Sequence, residues 1–413
     1  MRTRIPVATA IVAAVCGSLT LAACGGGGPS ATGGKLTDGK VVFGLLNDQS
    51  GVYKDLSGPN SKAAIQMAID DYRAEYGDKA VAKTIEIVTA DHQNKPDIAN
   101  TKAQEMYDRQ NVDVILDVPT SSAALAVATI ALAKKKLFID VTAGTTALTG
   151  KSCNKYTYAW AYDTAMLANG TGAAVVKNGG KSWSIVYPDY AFGQDMAKSF
   201  TTAVTGAGGT VQQSIPTPFP NDNFATFITK ADSTTPQVIG IMAAGGDLIN
   251  FVKQYIQAGM QSKAQLAVGL MFITDIHSLG VDQFAGTSFT DPWYWNFDAQ
   301  NKAWADRFQA KTNTRPSFAH VGNYSAAMNY LQAVQAAGTD NADAVVKQLD
   351  GKKINDVFLR NGQIRADHRV VHDVYLAKVK TKAEVKEPWD YEQIVQTIPA
   401  ADAFEPVSPA CKI

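Results

Sequence analysis

Between residues 41 and 141 the apolar positions switch repeatedly between two periods. Val41-Val42-Phe43-Gly44-Leu45-Leu46 is a short continuous apolar run, as expected of a strand buried on both faces. The stretch 58–76 follows, with Ala64, Ile65, Ala68 and Ile69 at helical spacing. Residues 84–90 alternate Ile85 and Ile87 with polar neighbours, as a strand does. Pro96 suits a first turn and opens a helix to about residue 110. The pattern then predicts a strand over 112–118, a helix over 121–135 and a strand over 137–141. Four strands alternating with helices imply a parallel sheet wound on both faces.

The cycle restarts downstream: helix 165–178, strand 182–187, helix 194–206, strand 210–215, strand 238–242, helix 247–258 and strand 265–270. This is a second parallel sheet. Beyond about residue 291 come an aromatic run, helices over 302–311, 323–337 and 342–350, and a β-rich segment over 354–379. That tail is too poor in parallel strands for a third doubly wound domain and is expected to complete the first two. The fold class is therefore α/β, with two doubly wound parallel-sheet lobes joined by a hinge. A cleft between their strand carboxyl ends is the expected ligand site.

Composition narrows the function. The 413 residues carry 38 basic and 38 acidic side chains, which gives no field for attracting a phosphate backbone, so nucleic acid is not an expected partner. Gly179-Gly180 and the glycines of 206–209 read as helix stops, since neither completes a dinucleotide fingerprint; no cofactor is expected. Sequence signatures of serine hydrolases, zinc proteases and Cys-x-x-Cys redox sites are absent, and the reading is not an enzyme. His368 and His372, four apart on a strand-like segment, share a face. They are read as solvent-facing rather than as metal ligands, because no further ligands accompany them.

Arg2 and Arg4 precede an apolar run from Ile5 to Val15 that ends in Leu21-Ala22-Ala23-Cys24, so residues 1–23 read as an export signal. Cys16, Gly17 and Ser18 interrupt the apolar stretch, which makes a membrane-spanning helix the weaker reading. Leu21-Ala22-Ala23-Cys24 resembles the lipobox of bacterial lipoproteins. The resemblance implies a lipid-modified Cys24 that anchors the protein at a membrane surface, followed by a flexible tether over 24–36. Cys16 fits that role less well, because bulky Val15 precedes it. Ordinary cleavage after Ala23, with Cys24 left unmodified, is the alternative. Once Cys16 is removed and Cys24 acylated, Cys153 and Cys411 remain, and an oxidising compartment favours their pairing over two separate buried thiols.

The run Phe43-Gly44-Leu45-Leu46-Asn47-Asp48-Gln49-Ser50-Gly51-Val52-Tyr53, with the helix start at Gly58-Pro59, resembles the opening of the type I solute-binding proteins of ABC importers, in the branched-chain amino-acid-binding family. Pro119-Thr120-Ser121-Ser122 and Thr142-Ala143-Gly144-Thr145-Thr146 resemble the two turns where that family binds a ligand carboxylate. Tyr187-Pro188-Asp189-Tyr190-Ala191-Phe192-Gly193 resembles its turn after the first strand of the second lobe. The resemblance implies permease and ATPase subunits as partners. The chain then divides into lobe 1 (37–161 and 293–370), lobe 2 (162–292 and 371–399) and a tail (400–413).

Site residues follow from both lines of argument. Ser121 and Ser122 start an Ala-rich helix, where hydroxyls and free N–H groups suit an anion; plain capping is the competing reading. Ala143 and Thr145 join them through the resemblance. The carboxylate with which amino-acid binders of the family hold a ligand ammonium has no counterpart in Gly269-Leu270-Met271-Phe272-Ile273, unless Asp247 or Asp275 compensates. Tyr53, Tyr162, Tyr190, Phe192 and Phe272 make an aromatic cleft instead. Leu148-Thr149-Gly150-Lys151 and Tyr162-Asp163-Thr164 look closer to relatives that capture aromatic carboxylates. Trp293-Tyr294-Trp295 reads equally as hinge packing or ligand contact. A branched-chain amino acid or another small solute as ligand, and a ligand-sensing regulatory subunit of the same fold, stay open as alternatives.

Overall fold

The computed structural model describes residues 35–413. The export signal, Cys24 and the tether as far as residue 34 lie outside the described residues.

The first lobe opens as anticipated with β1 (Val41–Asn47), α1 (Ser61–Tyr76), β2 (Ile85–Asp91), α2 (Pro96–Arg109), β3 (Val114–Asp117), α3 (Ser121–Lys134) and β4 (Leu137–Asp140), and it adds a fifth strand, β5 (Thr157–Ala159), that the pattern did not predict. The five strands form a parallel sheet in the order β2-β1-β3-β4-β5. β1, β3 and β4 are buried along their whole length, whereas edge strand β2 is only half-buried, which explains its alternating sequence. Ala64, Ile65, Ala68 and Ile69 all point into the core from α1.

The chain crosses at residues 160–163 into the second lobe. There it forms α4 (Thr164–Lys177), β6 (Ser182–Pro188), α5 (Ala191–Gly206), β7 (Thr210–Thr217), α6 (Ala225–Asp232), β8 (Val238–Ile241), α7 (Gly245–Gln257), β9 (Gln265–Val268), α8 (Ile273–Leu279), α9 (Val281–Phe284) and β10 (Ser288–Asp291). Strands β6 to β9 make a parallel sheet in the order β7-β6-β8-β9.

A second crossing leads to α10 (Ala299–Thr312), α11 (Phe318–Ala337) and α12 (Ala342–Leu349). α10 and α11 pack on the first lobe through α1, and α12 packs on α11. The short strands β11 (Lys353–Ile354), β12 (Gly362–Ile364) and β13 (Val370–Val371) form a small antiparallel sheet. After a third crossing, β14 (Val374–Val379) and β15 (Glu392–Ile398) join β10 in another antiparallel sheet, and α13 (Ala400–Ala403) opens the tail. The tail is fastened to the first lobe by a disulfide between Cys153 and Cys411.

The crossings are held by buried side chains. Arg369, fully buried, donates to the Tyr162 carbonyl at 2.7 Å, with its Nε 3.3 Å from Asp163. Asp163 in turn caps α4 by accepting from Met166 N–H. The indole N–H groups of Trp293 and Trp295 donate to the carbonyls of Val357 and Trp389. Tyr294 donates to Asp390. This aromatic run therefore packs the hinge, and none of its members lines the cleft pocket described below.

The histidine reading is corrected. His368 and His372 are buried, not solvent-facing. His368 sits in a turn with φ +61° and stacks on Tyr158, and His372 lies within hydrogen-bond distance of the carbonyls of Ala161 and Asp373. Each ring has at least one backbone carbonyl in reach to accept the single N–H of its neutral form, which offsets part of the cost of burial. Among the described residues no cluster of His, Cys, Asp or Glu is arranged to hold a metal ion.

Candidate functional site

β3 ends abnormally. Asp117 and Val118 adopt φ of +82° and +64°, a region that non-glycine and especially β-branched residues avoid. Such strain costs of order 1–3 kcal/mol per residue and persists only where the surroundings hold it. Asp117 is held by Asn47, which donates to it at 2.9 Å, and by the Thr142 hydroxyl. The sharp turn brings Pro119 into the cleft and starts α3 at Ser121.

With the lobes shut, the pocket between them is narrowed to about 10 Å³ and is lined by ten residues: Tyr53, Leu56, Pro119, Thr142, Tyr162, Tyr190, Phe192, Ala244, Leu270 and Phe272. All five aromatic residues expected from the sequence are present, and no charged side chain lines the pocket. Phe272 stacks on Phe318 at 4.4 Å, and Tyr162 meets the same ring edge-on. Burial pushes the phenols of Tyr53, Tyr162 and Tyr190 above their ordinary value, so they stay neutral donors.

The other expected residues sit around this lining rather than in it. Ser121 is fully buried and its hydroxyl has no partner within the protein. It belongs to the first turn of α3, where backbone N–H groups have no intrahelical acceptor. Ser122, beside it, is half-buried. The Ala143 N–H is already bonded to Asp140 at 2.9 Å, and the Thr145 hydroxyl accepts from Ala147 N–H. Asp247 is buried in the first turn of α7. One of its carboxylate oxygens accepts from Asn221 N–H and the other has no partner. Burial raises it to about 7. Asp275, also raised to about 7 by burial, accepts from Phe272 N–H at 3.0 Å and so fixes the segment that carries the ring. Leu56 and Ala244 escaped the sequence reading, Leu56 because it lies in a run of turns with no periodicity; Pro119, Thr142 and Leu270 stood in stretches already singled out.

The lobes are closed. Tyr53 and Tyr190 meet hydroxyl to hydroxyl at 2.6 Å, and Gly246 N–H donates across the cleft to the Val52 carbonyl at 3.0 Å. Two glycines permit this approach. A Cβ on Gly245, which has φ +57°, would lie 2.3 Å from the Val52 oxygen, and one on Gly144 would lie 2.8 Å from the Tyr162 ring and 3.0 Å from that of Phe192.

Two lobes with parallel sheets, three crossings and a closed apolar pocket between strand ends define a two-lobed solute-binding protein. A family model described as periplasmic binding protein matches residues 40–384, and the chain belongs to that family. A periplasmic binding protein of Burkholderia mallei is 42% identical with a TM-score of 0.85, the match covering 89% of this chain and 96% of that one. A periplasmic ligand-binding protein of a branched-chain amino acid ABC transporter from Burkholderia xenovorans is 33% identical, with a TM-score of 0.78 and coverage of 89% and 97%. A solute-binding protein of an ABC transporter from Rhodopseudomonas palustris, solved with 3,4-dihydroxy benzoic acid, is 24% identical, with a TM-score of 0.76 and coverage of 87% and 98%; at that identity the likeness carries the fold. The fold is the type I periplasmic one, and the protein is an extracytoplasmic solute-binding protein of an ABC transporter, of a family whose work is transport rather than catalysis.

Proposed function

We propose that the protein captures a small aromatic carboxylate and delivers it to the permease of an ABC importer, while anchored to the membrane through a lipid on Cys24. One observation carries the choice of ligand: the pocket lining contains five aromatic rings and no charged side chain. A flat ring would stack among Tyr162, Phe192 and Phe272 and be enclosed by Tyr53 and Tyr190. Its carboxylate would take the unpartnered Ser121 hydroxyl and the N–H groups that open α3, with Ser122, Ala143 and Thr145 lining the approach. Hydrogen bonds to a charged group contribute roughly 1.5–3 kcal/mol each, so two such bonds plus ring burial reach the about −8.2 kcal/mol of a micromolar site.

A second reading is a branched-chain amino acid whose ammonium pairs with Asp247, and the free carboxylate oxygen there favours it. Thermal-shift screening separates the two. Benzoate and 4-hydroxybenzoate should raise the melting temperature and leucine should not; stabilisation by leucine alone transfers the assignment to Asp247. Mass spectrometry of protein taken from its native membrane should find a diacylglyceryl group on Cys24, and an unmodified N-terminus contradicts the anchor.

A further inference from the structure

The hydroxyl-rich turn after β4 contains a contact that ligand binding does not explain. Thr146, the first residue of a single 3-10 turn (Thr146–Thr149) in the first lobe, donates its N–H to the Asp195 carboxylate at 2.7 Å and its hydroxyl to the same group at 3.0 Å. Asp195 belongs to α5 of the second lobe and also accepts from the Thr164 hydroxyl at 2.8 Å. We propose that Asp195 is the clasp that holds the two lobes shut, a positioning residue that sets how long a solute stays bound rather than which solute is chosen.

Three features support this. Asp195 lies on the segment of α5 that already crosses the cleft, since Tyr190 bonds Tyr53 and the Phe192 ring fits against Gly144. Of the contacts made across the cleft by this segment, that of Asp195 is the one with a carboxylate, and charge-assisted bonds are the stronger kind. The bonded donor also opens a 3-10 turn, so its N–H has no acceptor within that turn. Asp195 itself is half-exposed at the margin of the cleft and does not line the pocket, so replacing it leaves the solute's own contacts in place.

The inference uses closure around a solute but not the identity of that solute. Stopped-flow tryptophan fluorescence should be run on wild type, Asp195→Ala, Asp195→Asn and Thr146→Val, with 4-hydroxybenzoate and leucine as parallel probes. For whichever probe binds wild type, Asp195→Ala should speed dissociation about 10–100-fold, with the melting temperature of unliganded protein nearly unchanged. Thr146→Val keeps the backbone N–H and should give a smaller acceleration in the same direction, and Asp195→Asn an intermediate one. Binding of leucine alone would defeat the aromatic assignment and still report on the clasp. Small-angle scattering gives a reading without any solute: unliganded Asp195→Ala should show a larger radius of gyration than wild type. Unchanged dissociation for the probe that binds, together with an unchanged radius of gyration, overturns the proposal, as does a melting temperature lowered equally with and without probe.

Discussion

The two walls of the cleft both present apolar surface to the pocket, but they differ in their polar content. The wall from the first lobe rests on buried polar groups: Asn47, Asp117, Thr120, Ser121 and Thr142 are all buried, and Asp117 gathers Asn47 and Thr142 around it. The wall from the second lobe is nearly all apolar surface, contributed by Tyr190, Phe192, Ala244, Leu270 and Phe272. A polar wall that keeps one hydroxyl unpartnered is suited to orienting an anion, because an unpaired buried group gains most from a new bond. An apolar wall supplies area without direction. The division assigns recognition to the first lobe and enclosure to the second. Asp195 and Thr146 then tie one wall to the other.

The largest expected effect comes from preventing the walls from meeting. In Gly144→Val even the Cβ falls 2.8 Å from the Tyr162 ring and 3.0 Å from that of Phe192, so solute binding by calorimetry should be lost while far-ultraviolet circular dichroism stays native. Retained binding would mean that the walls need not approach so closely. Removing the orienting group comes next. Ser121→Ala should weaken aromatic carboxylate binding about 10–100-fold and leave unliganded stability unchanged or slightly raised, because the hydroxyl has no partner to lose. A variant that binds normally would place the anion elsewhere.

The smallest effect concerns the acid behind the apolar wall. Asp275 is raised to about 7 by burial, against an unfolded value near 3.9. The folded state therefore holds its proton more tightly, so the stability this group contributes is complete below about pH 4 and is lost as pH rises through 7. Asp275→Asn keeps an acceptor for Phe272 N–H and should shrink the fall in melting temperature between pH 5 and pH 8 by a few degrees. An identical pH profile in wild type and variant would show that Asp275 does not titrate in this range.

Much of this was legible in the residues alone, for physical reasons. β1, β3 and β8 are buried on both faces, so their apolar runs are unmistakable, and Pro96 marks the start of α2 as its missing N–H requires. β5 has three residues and α8 seven, too short for either period to register, and neither was anticipated. The aromatic lining was readable because those rings lie at strand ends in recognisable turns, whereas Leu56 was not. The clasp was hidden for a different reason. Asp195 is an ordinary polar residue of an amphipathic helix, and only the meeting of α5 with the turn after β4 gives it a partner. His368 and His372 misled because their segment is covered by the chain around Thr157 and Ala161, far away in sequence, whose carbonyls meet their rings.

The central claim is that an orienting polar wall and an uncharged aromatic wall together select an aromatic carboxylate. Isothermal titration calorimetry of the mature protein with 4-hydroxybenzoate, in parallel with leucine, tests it most directly. The account predicts micromolar or tighter binding of 4-hydroxybenzoate, with a negative heat-capacity change from ring burial and no measurable heat from leucine. Tighter binding of leucine than of 4-hydroxybenzoate would contradict it.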